Sequence, residues 1–328
     1  MRGKYRITIQ NKRIRYDFEI KRNITIIRGD SATGKTALVE MVREYYEIGA
    51  SSGIELQCDK NCVVLQGRNW QIQLASFQDS IVFIDETSEF VSSKEFASEI
   101  QKTDNYYIIV TRESLSGLPY SVNEVYGIRN SGKYGSLKRT YNEFYRLYGQ
   151  NTFISEVKPD TVLTEDSNSG FQFYQTVCTE RRLECISAQG KSNIFSYLTS
   201  HNNRKVLVIG DGSAFGPEMD KVMKLLKIRK DIVLYLPESF EWLLLKSGVI
   251  QDSEIPLILN APYDFCESSE YFSWERYFTA LIVKKTQGTY LQYNKRILNK
   301  VYVQQEVMDK IIKSMENINL SWKEPGDN

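Results

Sequence analysis

The chain predicts an α/β fold in two domains, each built on a parallel sheet with helical crossovers. Three observations lead there. A β-branched run, Ile24–Arg28, enters a loop containing two glycines and emerges in a helix-periodic stretch, Thr36–Tyr46. Short apolar runs of strand length then recur with enough chain between them for crossover connections. A polar joint from Tyr148 to about Lys158 closes this alternation, and a second one begins at Thr161. The expected domains are therefore residues 1–150 and 158–322.

Tyr5–Gln10 and Arg13–Ile20 alternate as strands, and Asn11-Lys12 between them suits a hairpin turn. After the glycine loop, Leu38, Val39, Met41 and Val42 carry the helical spacing of Thr36–Tyr46. Cys62–Gln66, Ile81–Asp85, Tyr106–Thr111 and Glu124–Ile128 follow as strands. In the second domain the strands are Thr161–Thr164, Leu183–Ser187, Val206–Gly210 and Asp231–Leu236. The helices between them are Gly170–Cys178, Ser192–Thr199 and Pro217–Lys227. Pro237 and Ser239 mark the start of one more helix, with Trp242 in its apolar run Trp242–Leu245 read as core.

Bulk properties exclude several function classes. The 328 residues include 42 Lys plus Arg against 41 Asp plus Glu, so no global field draws the chain to nucleic acid or membrane. No apolar run reaches the ~20 residues of a membrane span and nothing resembles a signal peptide, so the chain reads as cytosolic. Cys58 and Cys62 are spaced C-x3-C, but no second Cys/His pair completes a zinc site. The single histidine, His201, lies in the polar stretch Ser200–Asn203 and reads as solvated rather than catalytic.

Gly29-Asp30-Ser31-Ala32-Thr33-Gly34-Lys35-Thr36 satisfies G-x-x-x-x-G-K-[ST] between a strand and a helix, the context that gives this P-loop motif its meaning. Such a loop turns successive amides toward one phosphate, and the helix N-terminus that includes Ala37 adds its positive end. Lys35 is expected to neutralise the β- and γ-phosphates of ATP and Thr36 to ligate Mg²⁺. Ile81-Val82-Phe83-Ile84-Asp85-Glu86 ends a buried strand in two carboxylates: Asp85 is expected at Mg²⁺ and Glu86 beside the attacking water. Thr111, and more weakly Arg112, end the next strand, where P-loop ATPases similar to this one place a polar γ-phosphate sensor. Leu115-Ser116-Gly117 matches part of the ABC signature but follows Asp85-Glu86 where that signature precedes it, so that reading is rejected. With its opening hairpin, the first domain resembles a reduced ABC- or recombination-type P-loop ATPase that lacks the helical insert.

In the second domain Thr161-Val162-Leu163-Thr164-Glu165-Asp166 and Val206-Leu207-Val208-Ile209-Gly210-Asp211-Gly212-Ser213 each end a strand in acid. Parallel pairing would bring Glu165 and Asp211 to one sheet edge, where converging carboxylates suit a hard divalent cation and metal-assisted phosphodiester cleavage. This order over roughly Lys158–Lys246 resembles the Toprim domain of topoisomerases, primases and the overcoming-lysogenization-defect nucleases. In the last group and in related phage-defence proteins it accompanies a P-loop ATPase. The family's Asp-x-Asp is here Asp211-Gly212-Ser213, and Asp166 stands where the family has glycine. Asp166, Glu218, Asp220, Glu238 and Glu241 are the acids available to compensate.

The resemblance implies an ATP- and Mg²⁺-dependent hydrolase whose nucleotide state regulates a Toprim-like nuclease acting on DNA or RNA in phage defence. The alternative is an ATPase switch whose degenerate second domain binds a partner protein. A small-molecule kinase fits poorly beside Glu86. With no arginine finger evident in the chain, a homo-oligomer is expected. Lys284, Lys285, Lys295, Arg296 and Lys300 interleave with Tyr290 and Tyr293 as a candidate nucleic-acid surface, against the plainer reading of a solvated face. Arg181-Arg182 and Lys224–Lys230 fall under the plainer reading.

Overall fold

A computed structural model describes residues 1–29, 33–131, 139–149, 156–201 and 205–320. The fold is α/β, with a large mixed sheet and a separate parallel sheet. The chain divides into two compact units: Met1–Gly149 with Ala261–Ser273, and Gln150–Asn260 with Trp274–Asn328. Residues 261–273 thus belong to unit 1, although the sequence division assigns them to the second domain. Backbone bonds hold them there, from Gly3 N to Tyr263 O (2.7 Å) and from Ser268 N to Met1 O (3.0 Å). The Ser268 hydroxyl adds a bond to Asp104 O (3.0 Å) and Glu267 pairs with the amino terminus, so the return depends on distant partners that no local sequence pattern announces.

Unit 1 runs β1 (Tyr5–Gln10), β2 (Ile14–Ile20), β3 (Ile24–Ile27), α1 (Lys35–Ile48), β4 (Glu55–Gln57), β5 (Asn61–Val64), α2 (Trp70–Ser76), β6 (Ser80–Ile84), α3 (Lys94–Glu99), β7 (Tyr106–Val110), β8 (Val125–Asn130) and β9 (Thr140–Arg146). These strands form one nine-stranded sheet in the order β4-β1-β2-β9-β8-β3-β7-β6-β5. From β5 to β8 the pairing is parallel. The expected parallel sheet with an N-terminal β hairpin is in fact one mixed sheet: the hairpin joins it because β9 pairs antiparallel with β8 and parallel with β2. The central strands β3, β6 and β7 are buried along their whole length, as strands covered on both faces must be.

The sheet curls. β4 and β5 lie at opposite ends of its order, yet only Cys58, Asp59 and Lys60 separate them in sequence. Four extended peptide steps span at most roughly 14 Å, so the two ends must approach each other. Helix α1 fills the curl and touches β1, β4, β5 and β6. Its buried face, Leu38, Val39, Met41 and Val42, joins Ile7, Ile9, Tyr16, Phe18, Ile81 and Phe83 in one core. Fully burying each such aliphatic chain contributes about 1.5–3 kcal/mol.

Unit 2 is built on β10 (Thr161–Thr164), α4 (Ser169–Glu180), β11 (Glu184–Ser187), α5 (Lys191–Ser200), β12 (Val206–Ile209), α6 (Met219–Ile228) and β13 (Ile232–Tyr235). There follow α7 (Phe240–Lys246), α8 (Ile255–Asn260), α9 (Trp274–Thr286) and α10 (Gln305–Lys313). The sheet is four-stranded and parallel throughout, in the order β11-β10-β12-β13. Its inner strands β10 and β12 are wholly buried and its outer strands only in part. Trp242, read as core, is half-exposed, with the Lys246 ammonium 5.1 Å from its ring centre.

The loop after β12 is zipped to the loop after β13, with Gly212 N donating to Pro237 O (2.6 Å) and Ser213 N to Glu238 O (3.2 Å). A Cβ at residue 212 would stand 2.5 Å from Leu236 O and 2.8 Å from Pro237 O, both backbone atoms. Gly212→Ala is therefore expected to destabilise unit 2 by about 1–3 kcal/mol through overpacking. Gly117→Ala, whose Cβ would meet only Ala97 Cβ at 3.7 Å, should stay within about 0.5 kcal/mol. Urea denaturation of the two variants checks this; equal midpoints would contradict it.

Candidate functional site

Parallel pairing fixes what meets at the carboxyl-terminal edge of the unit 1 sheet. Ile27 of β3 pairs with Val110 of β7, and Ile109 of β7 with Ile84 of β6. The residues that follow, Arg28-Gly29, Thr111-Arg112 and Asp85-Glu86, therefore leave the sheet side by side. Gly29 turns out of β3 with φ 132°, a backbone conformation that side chains disfavour. Gly34 caps α1 in the left-handed region, φ 89°. A Cβ there would meet the Tyr16 hydroxyl at 2.7 Å, because that hydroxyl donates to Gly34 O (2.7 Å).

Lys35 is buried, and its Nζ donates to Gly29 O (2.8 Å) and Thr33 Oγ1 (3.1 Å), holding the ammonium within the loop. Thr36 is exposed and Ala37 half-buried in the first turn of α1. That turn carries no acidic side chain, so nothing within it neutralises the positive helix end. Asp30, Ser31 and Ala32, also expected at the phosphates, lie outside the described residues.

Asp85 is half-buried, and its Oδ1, shielded from solvent, has no hydrogen-bond partner among the described residues. A buried carboxylate oxygen left this way fits a cation or its bound water. Glu86 receives a two-pronged grip from Arg112, Nε to Oε2 at 3.0 Å and Nη2 to Oε1 at 2.9 Å. This bonding, helped by the charges of Arg112 and Lys35 against a smaller opposing effect of burial, holds the Glu86 carboxyl below its usual pKa. Thr111 is buried, and its hydroxyl is engaged with the backbone of Glu113 as acceptor (3.1 Å) and donor (3.2 Å). The expected sensor hydroxyl thus serves a local turn, and Arg112 is the neighbour that reaches Glu86.

In unit 2, β10 and β12 pair with Thr164 opposite Ile209, and Asp211 N donates to Glu165 Oε2 (3.0 Å). Glu165 and Asp211 therefore converge. Glu241, at the start of α7 and fully buried, and Glu275, in the first turn of α9, add charge to the same cluster. Loss of water raises the Glu165 carboxyl to about 7, against the lowering effects of the Asp211 amide and Lys191. Burial, with the charges of Glu275, Glu165 and Glu241, holds Asp211 well above its ordinary value.

Lys295 supplies the counter-charge, its Nζ 2.9 Å from Glu241 Oε1 and 3.2 Å from Glu275 Oε1. Tyr293 donates to Glu241 Oε1 (2.7 Å) and shares a hydrogen bond with Ser169 Oγ. Backbone and side-chain bonds fix this segment on the start of α4: Ser169 N to Lys295 O (2.9 Å) and Gln172 Nε2 to Arg296 O (2.7 Å).

These contacts bear on both readings of residues 280–300, the favoured solvated face and the candidate nucleic-acid surface. Lys295 and Tyr293 turn inward, Lys285 is paired with Asp252 and Glu254, and Tyr290 alone of the two tyrosines is exposed. Of the acids considered as compensation, Glu241 joins the cluster. Asp166 bonds to Asn168 and Asp220 pairs with Lys224. Glu275 and Lys295 were missed as site residues, because their convergence depends on tertiary packing of α7, α9 and the segment after α9. Among the described residues Glu241 Oε2 and Ser213 Oγ are buried without hydrogen-bond partners, and Glu241 Oε2 leaves the cluster one unengaged oxygen. Yet among the described residues no three His, Cys, Asp or Glu side chains stand where they would jointly hold a metal ion. The expected metal ligands Glu165 and Asp211 meet in a cluster whose cation is an ammonium. His201 stacks on Tyr197 and its Nδ1 lies 3.0 Å from Tyr197 O, outside this cluster.

Among the described residues no helix is long and apolar enough to cross a membrane. Comparison of the chain with protein-family models, with curated proteins and with solved structures gave no match.

Removing the ammonium strands Glu241 in the protein interior. Lys295→Met should destabilise unit 2 by about 3 kcal/mol, the usual consequence of breaking a buried pair from one side. Adding Glu241→Gln should restore part of the loss. Denaturant midpoints of the single and double variants give the readout, and additive losses would contradict a shared ion pair.

Proposed function

We propose that unit 1 binds ATP with Mg²⁺ and hydrolyses it, and that its nucleotide state regulates unit 2. The observation that carries this reading is the shared strand edge, which aligns the glycine loop and Lys35 with Asp85-Glu86 and Thr111-Arg112. Loop amides and the start of α1 would cradle the phosphates, and Lys35 would exchange Gly29 O for phosphate oxygens. Thr36 and Asp85 would hold Mg²⁺, which supplies charge neutralisation between the β- and γ-phosphates when bound. Glu86 would accept a hydrogen bond from water attacking the γ-phosphorus; the bond to the β-phosphate oxygen breaks, giving ADP and phosphate. Arg112 orients Glu86 in this arrangement. An arginine directed at the phosphate would then come from another copy of the chain, which keeps a homo-oligomer within the proposal.

For unit 2 the proposal is a Toprim-like site that cleaves DNA or RNA with a divalent cation, supported by the convergence of Glu165, Asp211, Glu241 and Glu275. A second reading has its own support. Ser213 stands where a further carboxylate is expected and Lys295 already neutralises the acids, which favours a non-catalytic module that binds a partner protein. Either way the chain acts as a nucleotide-controlled protein, with phage defence as the proposed setting.

Lys35→Ala should abolish ATP binding, while Glu86→Gln should bind ATP and lose about 100-fold or more in turnover. Phosphate release and fluorescent-nucleotide binding check the two steps separately, and wild-type turnover in both variants would sink the ATPase reading. Labelled DNA and RNA incubated with ATP and Mg²⁺ or Mn²⁺ test unit 2. Cleavage lost in both Glu165→Ala and Asp211→Ala supports the nuclease. No cleavage of any substrate, with ATP turnover intact, leaves the partner-binding module.

A further inference from the structure

We propose that Lys295 is a removable plug: its ammonium fills a divalent-cation site between Glu241, Glu275 and Asp211, and the cation enters only when that side chain swings out. Use of the cation rests on the proposed Toprim-like chemistry; its binding does not. Sheet order places the plug. Strand β12, which leads into Asp211, lies between β10 and β13. Helix α4 starts after β10 and α7 after β13, so their first turns flank the end of β12. The segment after α9 is bonded to both. Lys295 O accepts from Ser169 N (2.9 Å) at the start of α4, and Tyr293 donates to Glu241 Oε1 (2.7 Å) in the first turn of α7. Residues 293–295 therefore cross the sheet edge at Asp211. The charges respond to one another there. At Asp211 the upward push of burial is opposed by Lys295, and at Lys295 the downward push of burial is outweighed by Asp211, Glu241 and Glu275.

Three observations mark a cation's place rather than a finished ion pair. Glu241 is fully buried, yet only its Oε1 is engaged; Oε2 has no hydrogen-bond partner among the described residues. A buried pair kept for stability would satisfy that oxygen as well. One ammonium also serves three carboxyl groups, with Glu165 beside them on the Asp211 amide. Lys191, the other cation near Glu165, is engaged with Ala214 O (2.8 Å). Crowded carboxylates with too little counter-charge are what a hard divalent cation relieves. Finally, the plug has a way out. The Lys295 side chain is 28% exposed against 0% for Glu241. Rotation can carry its ammonium to water while the backbone stays bonded to Ser169 and, through Arg296 O, to Gln172. A hard cation draws carboxylate oxygens to about 2.0–2.6 Å, closer than the 2.9 and 3.2 Å that the ammonium keeps. With Lys295 in place the acids are spaced for an ammonium, in keeping with the lack of a three-ligand metal group among the described residues.

Mn²⁺ serves as the probe, on full-length, nucleotide-free protein carrying Asp85→Asn to silence the proposed unit 1 cation. Lys295→Met in this background should bind one Mn²⁺ about 10-fold or more tighter than the background itself, read as loss of the free-ion electron paramagnetic resonance signal. Adding Glu241→Gln and Glu275→Gln should abolish the gain. Mn²⁺ should also raise the denaturant midpoint of Lys295→Met by binding the acids that the ammonium left. Equal Mn²⁺ affinity with and without Lys295, or a gain that survives loss of both glutamates, would overturn the proposal. The unsubstituted chain gives a check independent of how the variants fold. Saturating Mn²⁺ should increase acetic-anhydride labelling of Lys295, mapped by mass spectrometry, with exposed Lys284 unchanged. Unchanged labelling of Lys295 would likewise overturn it. Mn²⁺ that competes with Lys295 in a chain that cuts no DNA or RNA would retire the nuclease reading and leave the plug standing.

Discussion

Parallel hydrogen bonding between β6, β7 and β3 is the constraint from which the rest of unit 1 follows. Because the three strands run the same way in fixed register, whatever follows them in sequence emerges on one edge. The glycine loop, the Asp85-Glu86 pair and Arg112 need no direct sequence relation to become neighbours. Burial on both faces makes the constraint rigid. A one-residue slip would turn every side chain of a strand over and move the acids off the edge. The curled antiparallel part completes the site from the other side, where the Tyr16 hydroxyl on Gly34 O ties the start of α1 to β2.

The same constraint operates in unit 2 with a different electrostatic result. Pairing of β10 with β12 drives Glu165 against the Asp211 amide, and the placement of α7 and α9 adds Glu241 and Glu275. Four acids in a poorly hydrated place cannot all stay charged without compensation. Two outcomes are present together. Glu165 and Asp211 are raised toward protonation, and Lys295 neutralises Glu241 and Glu275. In unit 1, by contrast, Glu86 is exposed enough and close enough to cations to stay ionised, the state in which a carboxylate accepts a proton from water.

The sequence made visible those features whose cause is local. The P-loop spacing, the apolar run before Asp85 and the alternation of β1 and β2 are short-range signals, and the corresponding elements lie within a residue or two of their expected bounds. The acids at the ends of β10 and β12 were legible because strand ends share an edge once the sheet is parallel. What stayed hidden depends on distant partners. Strand β9, Thr140–Arg146, has no clear apolar alternation and draws its meaning from pairing with β2 and β8. Lys295 looks like one more surface lysine until its backbone is fixed to Ser169. The grip of Arg112 on Glu86, and the engagement of the Thr111 hydroxyl in its own turn, are likewise outcomes of side-chain geometry.

The central claim is that the unit 1 strand edge holds a nucleoside triphosphate with its cation. A crystal structure with Mg²⁺ and a non-hydrolysable ATP analogue tests it most directly. The account predicts phosphates within the loop of residues 29–36, Lys35 Nζ moved from Gly29 O to a phosphate oxygen, and Asp85 Oδ1 bonded to Mg²⁺ or its water. A nucleotide bound elsewhere, or Lys35 still bonded to Gly29 O beneath an empty loop at saturating analogue, would contradict it.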